Sequence, residues 1–438
     1  MTYLFRRVAQ GGWLLVALLG LAGSCTADGP AIPTDPIRIG VVVSLSGGLA
    51  SVGPHLAESA EQAVLEVNAA GGLLGGRPVE VVVIDDRTTP EGARRAAQQL
   101  IEDDQVVAIV GSLASSATLE VQDVAFNAGI PQVSCCSTSV ALDAAQPAGN
   151  RFLFRTVASD QLQAEVVARY AIDESCDRLA ILHIDDEYGN PFAASIAGIF
   201  SSLASEGQTV VPPTPFSGGE SGYSDEVSTV RDQLASVGMA ERACIALVGF
   251  PADGGRILRD WNSLSDAPDV LWIATDGLRD SGFPEAAGGA SIVDGVTGTA
   301  PVVQPQTESY NDFESNFEAS FGELPGIFGA QQYDATIMLM LAIEAARSTD
   351  GTAIRDALFS ISRLPGSNVE PKDLRTALSR LREGSEINYT GASGDVDFDT
   401  LGNVIGDYEI WRFDAGDGGT EDAFSTIGMV RASELGQQ

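Results

Sequence analysis

Residues 39–86, IGVVVSLSGGLASVGPHLAESAEQAVLEVNAAGGLLGGRPVEVVVIDD, decide how the rest of the chain is read. The run IGVVVSLSG is apolar and β-branched, and it ends in small polar residues. From Pro54 to Ala70 the apolar positions Leu56, Ala60, Ala63, Val64 and Val67 fall at helical spacing. Gly71-Gly72 stops that helix, because glycine takes the positive φ of a helix C-terminus without strain. Gly75-Gly76 turns the chain into a second strand, PVEVVVIDD (78–86). A strand, a helix and a second strand of this length make a unit of a parallel sheet.

The unit repeats along the chain. Helices are expected over Pro90–Glu102 and Leu119–Asn127, with the strands VVAIVGS (106–112) and PQVSC (131–135) after them. The pattern restarts with a helix at Gln161–Ile172, the strand LAILHIDD (179–186) and a helix at Phe192–Glu206. A short strand, TVVPPTPF, a helix at Ser224–Val237 and the strands ACIALVGF (243–250) and VLWIATDG (270–277) follow. GVTGTAP (295–301) reads as a return crossing. Four helices come next, around Tyr310–Phe321, Ala330–Arg347, Thr352–Ser360 and Pro371–Glu383. Residues 394–413 read as a hairpin-like pair of β runs. The expected fold class is α/β: two Rossmann-like lobes with parallel sheets and flanking helices, joined by several crossings around a hinged cleft. Six apolar runs end in small, polar or aromatic residues, and ligands of such sheets bind beyond the carboxyl ends of the strands.

The N-terminus carries a different signal. Arg6 and Arg7 precede an apolar stretch, Gly11 to Ala22, too short to span a bilayer comfortably. Ala22-Gly23-Ser24 before Cys25 marks a secretory signal over residues 1–24. A cysteine directly after the small residues resembles the lipobox of bacterial lipoproteins, with Cys25 as the lipidated residue and 25–36 as a tether; the alternative is an ordinary signal with an incidental cysteine. The chain has 60 acidic and 25 basic residues, a net charge of −35, which becomes −37 once Arg6 and Arg7 leave with the signal. That balance argues against nucleic acid or anionic lipid as partners. Cys176 precedes one expected strand and Cys244 begins another, so a disulfide between them is possible if those strands are neighbours.

Several clusters sit at strand ends. Ser112-Leu113-Ala114-Ser115-Ser116-Ala117-Thr118 opens a helix, and free N–H groups with hydroxyls at a helix N-terminus form an anion site. The alternative is simple N-capping, which needs one hydroxyl. In Ser134-Cys135-Cys136-Ser137-Thr138-Ser139, Thr138 and the backbone near Cys136 reach toward the same anion. The vicinal cysteines also raise redox or metal chemistry, but a metal needs more ligands, and the chain has two histidines, His55 and His183. Asp276, in ATDG, is either a cleft carboxylate for an ammonium group or a turn residue before Gly277. Tyr188 and Phe250 are aromatic at strand ends and read either as pocket walls or as interlobe packing. Asp395, Asp397 and Asp399 have the opening spacing of a calcium loop, but Thr400 and Gly406 stand where such a loop needs Gly and Glu. No acid–base pair, G-x-S-x-G or dinucleotide fingerprint stands out, so no enzyme activity, metal or cofactor is expected.

With these residues in view the chain resembles the periplasmic branched-chain amino-acid binding proteins, the type I solute-binding receptors of ABC importers. The resemblance runs over about residues 37–413. It rests on the 39–86 block, with GSLASSAT, GIPQVSCCSTS, RFLFRTVASDQ, DDEYG, VGFPADGGRILR, QQYDATIMLMLAIEAA and GDVDFD in support. It implies the type I periplasmic binding protein fold with a three-segment hinge, lobe I at 37–156 and 300–396, and lobe II at 157–299 and 397–430. It also implies that Ser115, Cys136 and Thr138 hold an α-carboxylate and Asp276 an α-ammonium. Where relatives often carry tyrosine, this chain has Val52 and Phe250, and where they often carry glutamate it has the shorter Asp276. Val52 and Phe250 are therefore expected to shape ligand choice. The expected protein is a monomeric lipid-anchored receptor in the periplasm or at the cell surface, which hands a small amino acid or analogue to an ABC permease. The competing expectation is a sensory or envelope-assembly module of the same fold.

Overall fold

The computed structural model describes residues 35–147, 149–236, 242–302, 307–417 and 423–436. Cys25, the signal and the tether up to residue 34 lie outside the described residues.

Two sheets organise the molecule. The first holds β1 (Ile37–Val43), β2 (Val79–Asp85), β3 (Ala108–Gly111), β4 (Gln132–Ser134) and β5 (Leu153–Arg155), all parallel, in the order β2-β1-β3-β4-β5. The second is built on β6 (Arg178–Ile184), β7 (Thr209–Val210), β8 (Thr214–Phe216), β9 (Ala243–Val248), β10 (Val270–Ala274) and β11 (Thr297–Pro301). The short strands β12 (Ser367–Val369) and β13 (Ile387–Tyr389) pair with each other, and β14 (Tyr408–Phe413) and β15 (Phe424–Val430) complete the second sheet, ordered β15-β14-β11-β10-β9-β6-β7 with β8 also on β6. Only β14 and β15 run antiparallel to their neighbours there. The described chain passes between the sheets after β5, after β11 and before β14.

Both sheets place helix starts hard against strand ends. Gly53 opens the helix Gly53–Ala69, and Gly189 opens the helix Gly189–Leu203. A Cβ on Gly53 would lie 2.0 Å from the Ser44 carbonyl oxygen, and one on Gly189 would lie 1.9 Å from that of Ile184. Glycine is what lets both helices pack this close to the strands that feed them. The helix Gly329–Ala346 is buried over nearly its whole circumference and covers the first sheet, which fits its almost continuous apolar run.

Three expectations need correction. Residues 394–413 do not form a hairpin: β14 pairs with β15, and of the earlier segment only Asp395 makes a β-bridge, to Thr390. The Asp399 carboxylate accepts from the Leu401 and Asn403 N–H groups at 2.7 and 3.0 Å, so a local turn replaces the ladder. TVVPPTPF splits into β7 and β8, because Pro212 and Pro213 have no N–H to offer a sheet. The helix expected from Leu119 begins at Ser115.

Candidate ligand-binding cleft

Val52, Ser115, Cys136, Thr138, Tyr188, Phe250 and Asp276 all line one small cavity between the two sheets. Leu49, Leu113, Ile327 and Phe328 complete its apolar wall. Phe328 lies in the loop before the Gly329–Ala346 helix, where no pattern in the sequence marked it.

On the first-sheet side, the early start of the Ser115–Ala128 helix changes how its hydroxyls are used. Its N-cap is Ala114, whose side chain caps nothing, so the serines are free for other work. Ser115 Oγ accepts from the Ser139 N–H at 3.4 Å, which ties the two loops together beside the helix N-terminus. Thr118 Oγ1 bonds the Ser137 hydroxyl at 2.6 Å, and Ser137 Oγ donates to the Leu113 carbonyl at 2.9 Å. Behind the loop, the fully buried Arg155 donates to the Thr138 and Ser139 carbonyls at 2.8 and 3.0 Å and to Asp143 at 3.0 Å. First-turn N–H groups of a helix lack intrahelical acceptors, so this wall presents donors held in place by a network.

The opposite wall is anionic. Asp276 opens a short 3-10 turn directly after β10 and is 3 % exposed. Its Oδ1 accepts from Gln163 Nε2 at 2.9 Å and from the Tyr188 hydroxyl at 3.1 Å. Tyr188 and Phe250 stand at the caps of two second-sheet helices and stack with ring centres 5.7 Å apart and planes 11° off parallel. Asp160, at the start of the helix Asp160–Asp173, was missed in the sequence. It is 1 % exposed, and its carboxylate lies by the Thr138 hydroxyl without a well-formed hydrogen bond among the described residues. Burial, then the charge of Asp276, push its pKa well above the usual carboxylate range, with Thr138 and Arg155 pulling the other way. Burial likewise raises Asp276 to about 6, against the hydrogen bonds from Gln163 and Tyr188. Two dry carboxylates in mutual repulsion favour a cation. The signal for Asp160 was an acid opening a helix just after a strand end, which a solvated N-terminal acid gives equally well.

The two sides touch at the cleft mouth, where Ser116 Oγ donates to Asp186 at 3.3 Å and Ser139 Oγ to the Glu187 carbonyl at 2.5 Å. Cys176 and Cys244 are bridged, with Cα atoms 5.8 Å apart, on the neighbouring segments of β6 and β9. Cys135 and Cys136 are bridged to each other. Among the described residues, His55, Glu58 and Glu323 bring their donor atoms within 4.8 Å of one another, and none of the three lines the cavity.

Two α/β lobes closing on a small cavity with donors on one wall and carboxylates on the other define a solute-binding protein. The periplasmic binding protein family model matches residues 36–398, and the chain belongs to that family, one of binding proteins and not of enzymes. It is similar to the leucine-, isoleucine-, valine-, threonine- and alanine-binding protein of Pseudomonas aeruginosa, at 24 % identity over 78 % of this chain and 87 % of the relative. It is also similar to the chemotactic signal transduction system substrate-binding protein BasB of Halobacterium salinarum, at 25 % identity over 87 % and 88 % of the two chains. Among solved structures, the leucine binding protein LivK of Thermotoga maritima superposes with a TM-score of 0.73 at 21 % identity, covering 91 % of this chain and all of its own. LivJ of Streptococcus pneumoniae, in complex with isoleucine, gives 0.71 at 20 % identity over 90 % and 99 %. These establish the type I periplasmic binding protein fold.

Proposed function

We propose that this protein is the solute-binding component of an ABC importer, which captures a branched-chain or related amino acid and delivers it to a permease. The observation that carries this reading is the polarity of the cleft: helix-end donors and hydroxyls on one wall, the buried Asp276 carboxylate on the other, and apolar surface between. Ser115, Thr138 and the backbone at Cys136 take the ligand carboxylate. Asp276, steadied by Gln163 and Tyr188, takes the ammonium, and Asp160 adds negative potential beside it. Val52, Phe250 and Phe328 bound the side-chain space. Relatives whose names specify leucine, isoleucine and valine binding support the ligand class. Closure is a population shift biased by a ligand that touches both lobes. The lobes are residues 37–156 with 302–396, and 157–301 with 397–430, which keeps β11 whole in the second. Attachment through a lipidated Cys25, at the periplasmic or outer face of a membrane, keeps the receptor near its permease and needs more than one acyl chain to be stable.

A small aromatic acid fits less well. It brings a negative charge and no cation to a wall that already holds Asp276. Isothermal titration with L-leucine, L-isoleucine, L-valine and 3,4-dihydroxybenzoate tests the reading. At least one of the amino acids binds at micromolar level, about −8 kcal/mol, and the aromatic acid does not. Binding of the acid with no response to any amino acid overturns it. A second reading, a receptor that feeds a sensory pathway, is favoured by the likeness to the chemotactic relative from Halobacterium salinarum. A permease and ATPase encoded beside this gene, or a signal transducer in their place, decides between the two.

A further inference from the structure

We infer that the Cys135–Cys136 disulfide is a thiol–disulfide exchange site built into the ligand cleft, and that its reduction by a dithiol weakens ligand binding. The inference rests on the amino-acid reading of the cleft.

The vicinal bridge sits in the loop that carries the carboxylate-binding groups. Its Cα atoms are 3.7 Å apart, Cys135 is fully buried, and Cys136 is 7 % exposed and lines the cavity. The loop around it is pinned on both sides. The Cys136 and Ser137 N–H groups donate to Ser134 Oγ at 3.4 and 3.2 Å. The Ser139 N–H reaches Ser115 Oγ at 3.4 Å, and Arg155 grips the Thr138 and Ser139 carbonyls at 2.8 and 3.0 Å. The backbone is thus held whether or not the sulfurs are bonded.

Exchange proceeds by ordinary thiol chemistry. A thiolate of the dithiol attacks one sulfur, the Cys135–Cys136 bond breaks, and a mixed disulfide forms. The second thiol of the reagent then displaces the cysteine and closes its own disulfide. Two electrons and two protons pass to the cysteines, which end as thiols. Bonded sulfurs lie about 2.0 Å apart, whereas unbonded heavy atoms need roughly 3.5–4.0 Å. The difference is more than 1 Å in a region that is close-packed. Cys135 and Cys136 are both part of the continuous core, so the free direction is the cavity, which Cys136 already faces. A thiol displaced that way occupies space beside Ser115 and Thr138, where the ligand carboxylate sits. The coupling is reciprocal: whatever factor reduction takes from affinity, bound ligand takes from reduction.

The test uses the full mature chain. Iodoacetamide labelling with peptide mapping, before and after dithiothreitol under native conditions, reads the state of each cysteine. Cys135 and Cys136 are expected to be unlabelled at first and both labelled after reduction. Calorimetry with L-leucine then shows an at least tenfold weaker affinity in the reduced protein, and L-leucine slows the labelling by a comparable factor. C135A/C136A is compared only with itself, and whatever its starting affinity, dithiothreitol is expected to leave that affinity unchanged. C176A/C244A keeps the response, which traces it to the vicinal pair. Free thiols at Cys135 and Cys136 before reduction, no labelling after it, or an affinity within twofold of the oxidised value once both are labelled, each overturn the inference. If L-leucine fails to bind the oxidised protein, the amino-acid reading is what has failed, and the labelling arms still decide whether the bridge exists and exchanges.

Discussion

Replacing Asp276 by asparagine separates ligand binding from stability. In the empty protein Asp276 is a dry carboxylate whose pKa burial raises from 3.8 to about 6. Because the folded value exceeds the unfolded one, the folded state holds the proton more tightly. Stability from this group is present below about pH 4 and is lost as pH rises to about 6. A shift of about two units at roughly 1.36 kcal/mol each corresponds to about 3 kcal/mol of strain on the ionised form at pH 7. Asp276→Asn removes that charge, and its amide oxygen can still accept from Gln163 and Tyr188. The empty variant is therefore expected to unfold at the same or a higher urea concentration than the wild type. Ligand affinity moves the other way. Removing one partner of a buried, hydrogen-bonded charge pair costs about 2–5 kcal/mol, a loss of roughly 30-fold to several thousand-fold in L-leucine affinity by calorimetry. A less than threefold loss, with the variant folded, refutes the assignment of the ammonium to Asp276. A variant markedly less stable than the wild type refutes the account of its buried charge.

Three further predictions follow from other contacts. L-leucine affinity rises as pH increases through about 6, since the ammonium binds the ionised Asp276; titrations at pH 5 and pH 8 that agree within twofold contradict this. The Cys176–Cys244 bridge closes a segment with a separation of 68 residues, for which chain entropy gives about 4 kcal/mol as an upper figure, so C176A/C244A lowers the urea midpoint without changing ligand selectivity. Arg155→Met removes the charged donor shared by the Thr138 and Ser139 carbonyls and the Asp143 carboxylate, each of which keeps one other donor, and costs about 1.5–3 kcal/mol in denaturant titration.

Much of the fold was legible because its signals are local. Alternating strands and helices fix a parallel sheet from side-chain periodicity alone, and the helix Pro90–Glu102 falls where Thr89 caps it and Pro90 opens it. The failures were also local in origin. The run around Asp395–Asp399 carries the alternation of a strand, yet a carboxylate closing its own turn outcompetes the ladder. The strand Phe424–Val430 leaves apolar Ile427 and Met429 exposed and pairs only with the edge of a sheet assembled from distant segments, so its pattern was weak.

Sequence by itself determined the α/β architecture, the strand ends from which the cleft is built, and the seven residues expected to face it. The architecture and strand ends follow from periods of two and 3.6 residues and from the rule that sheet ligands sit beyond strand carboxyl ends, and Val52 follows from the family resemblance. Tertiary structure decided what the residues do to one another. Gln163 meets Asp276 across 113 residues, Asp160 lies near it as a second buried carboxylate, and Ala114 rather than a serine caps the Ser115–Ala128 helix. Spacing along a chain reports which face of its own element a side chain occupies. The charge beside it, the water excluded from it and the partner it lacks depend on elements that only folding brings together.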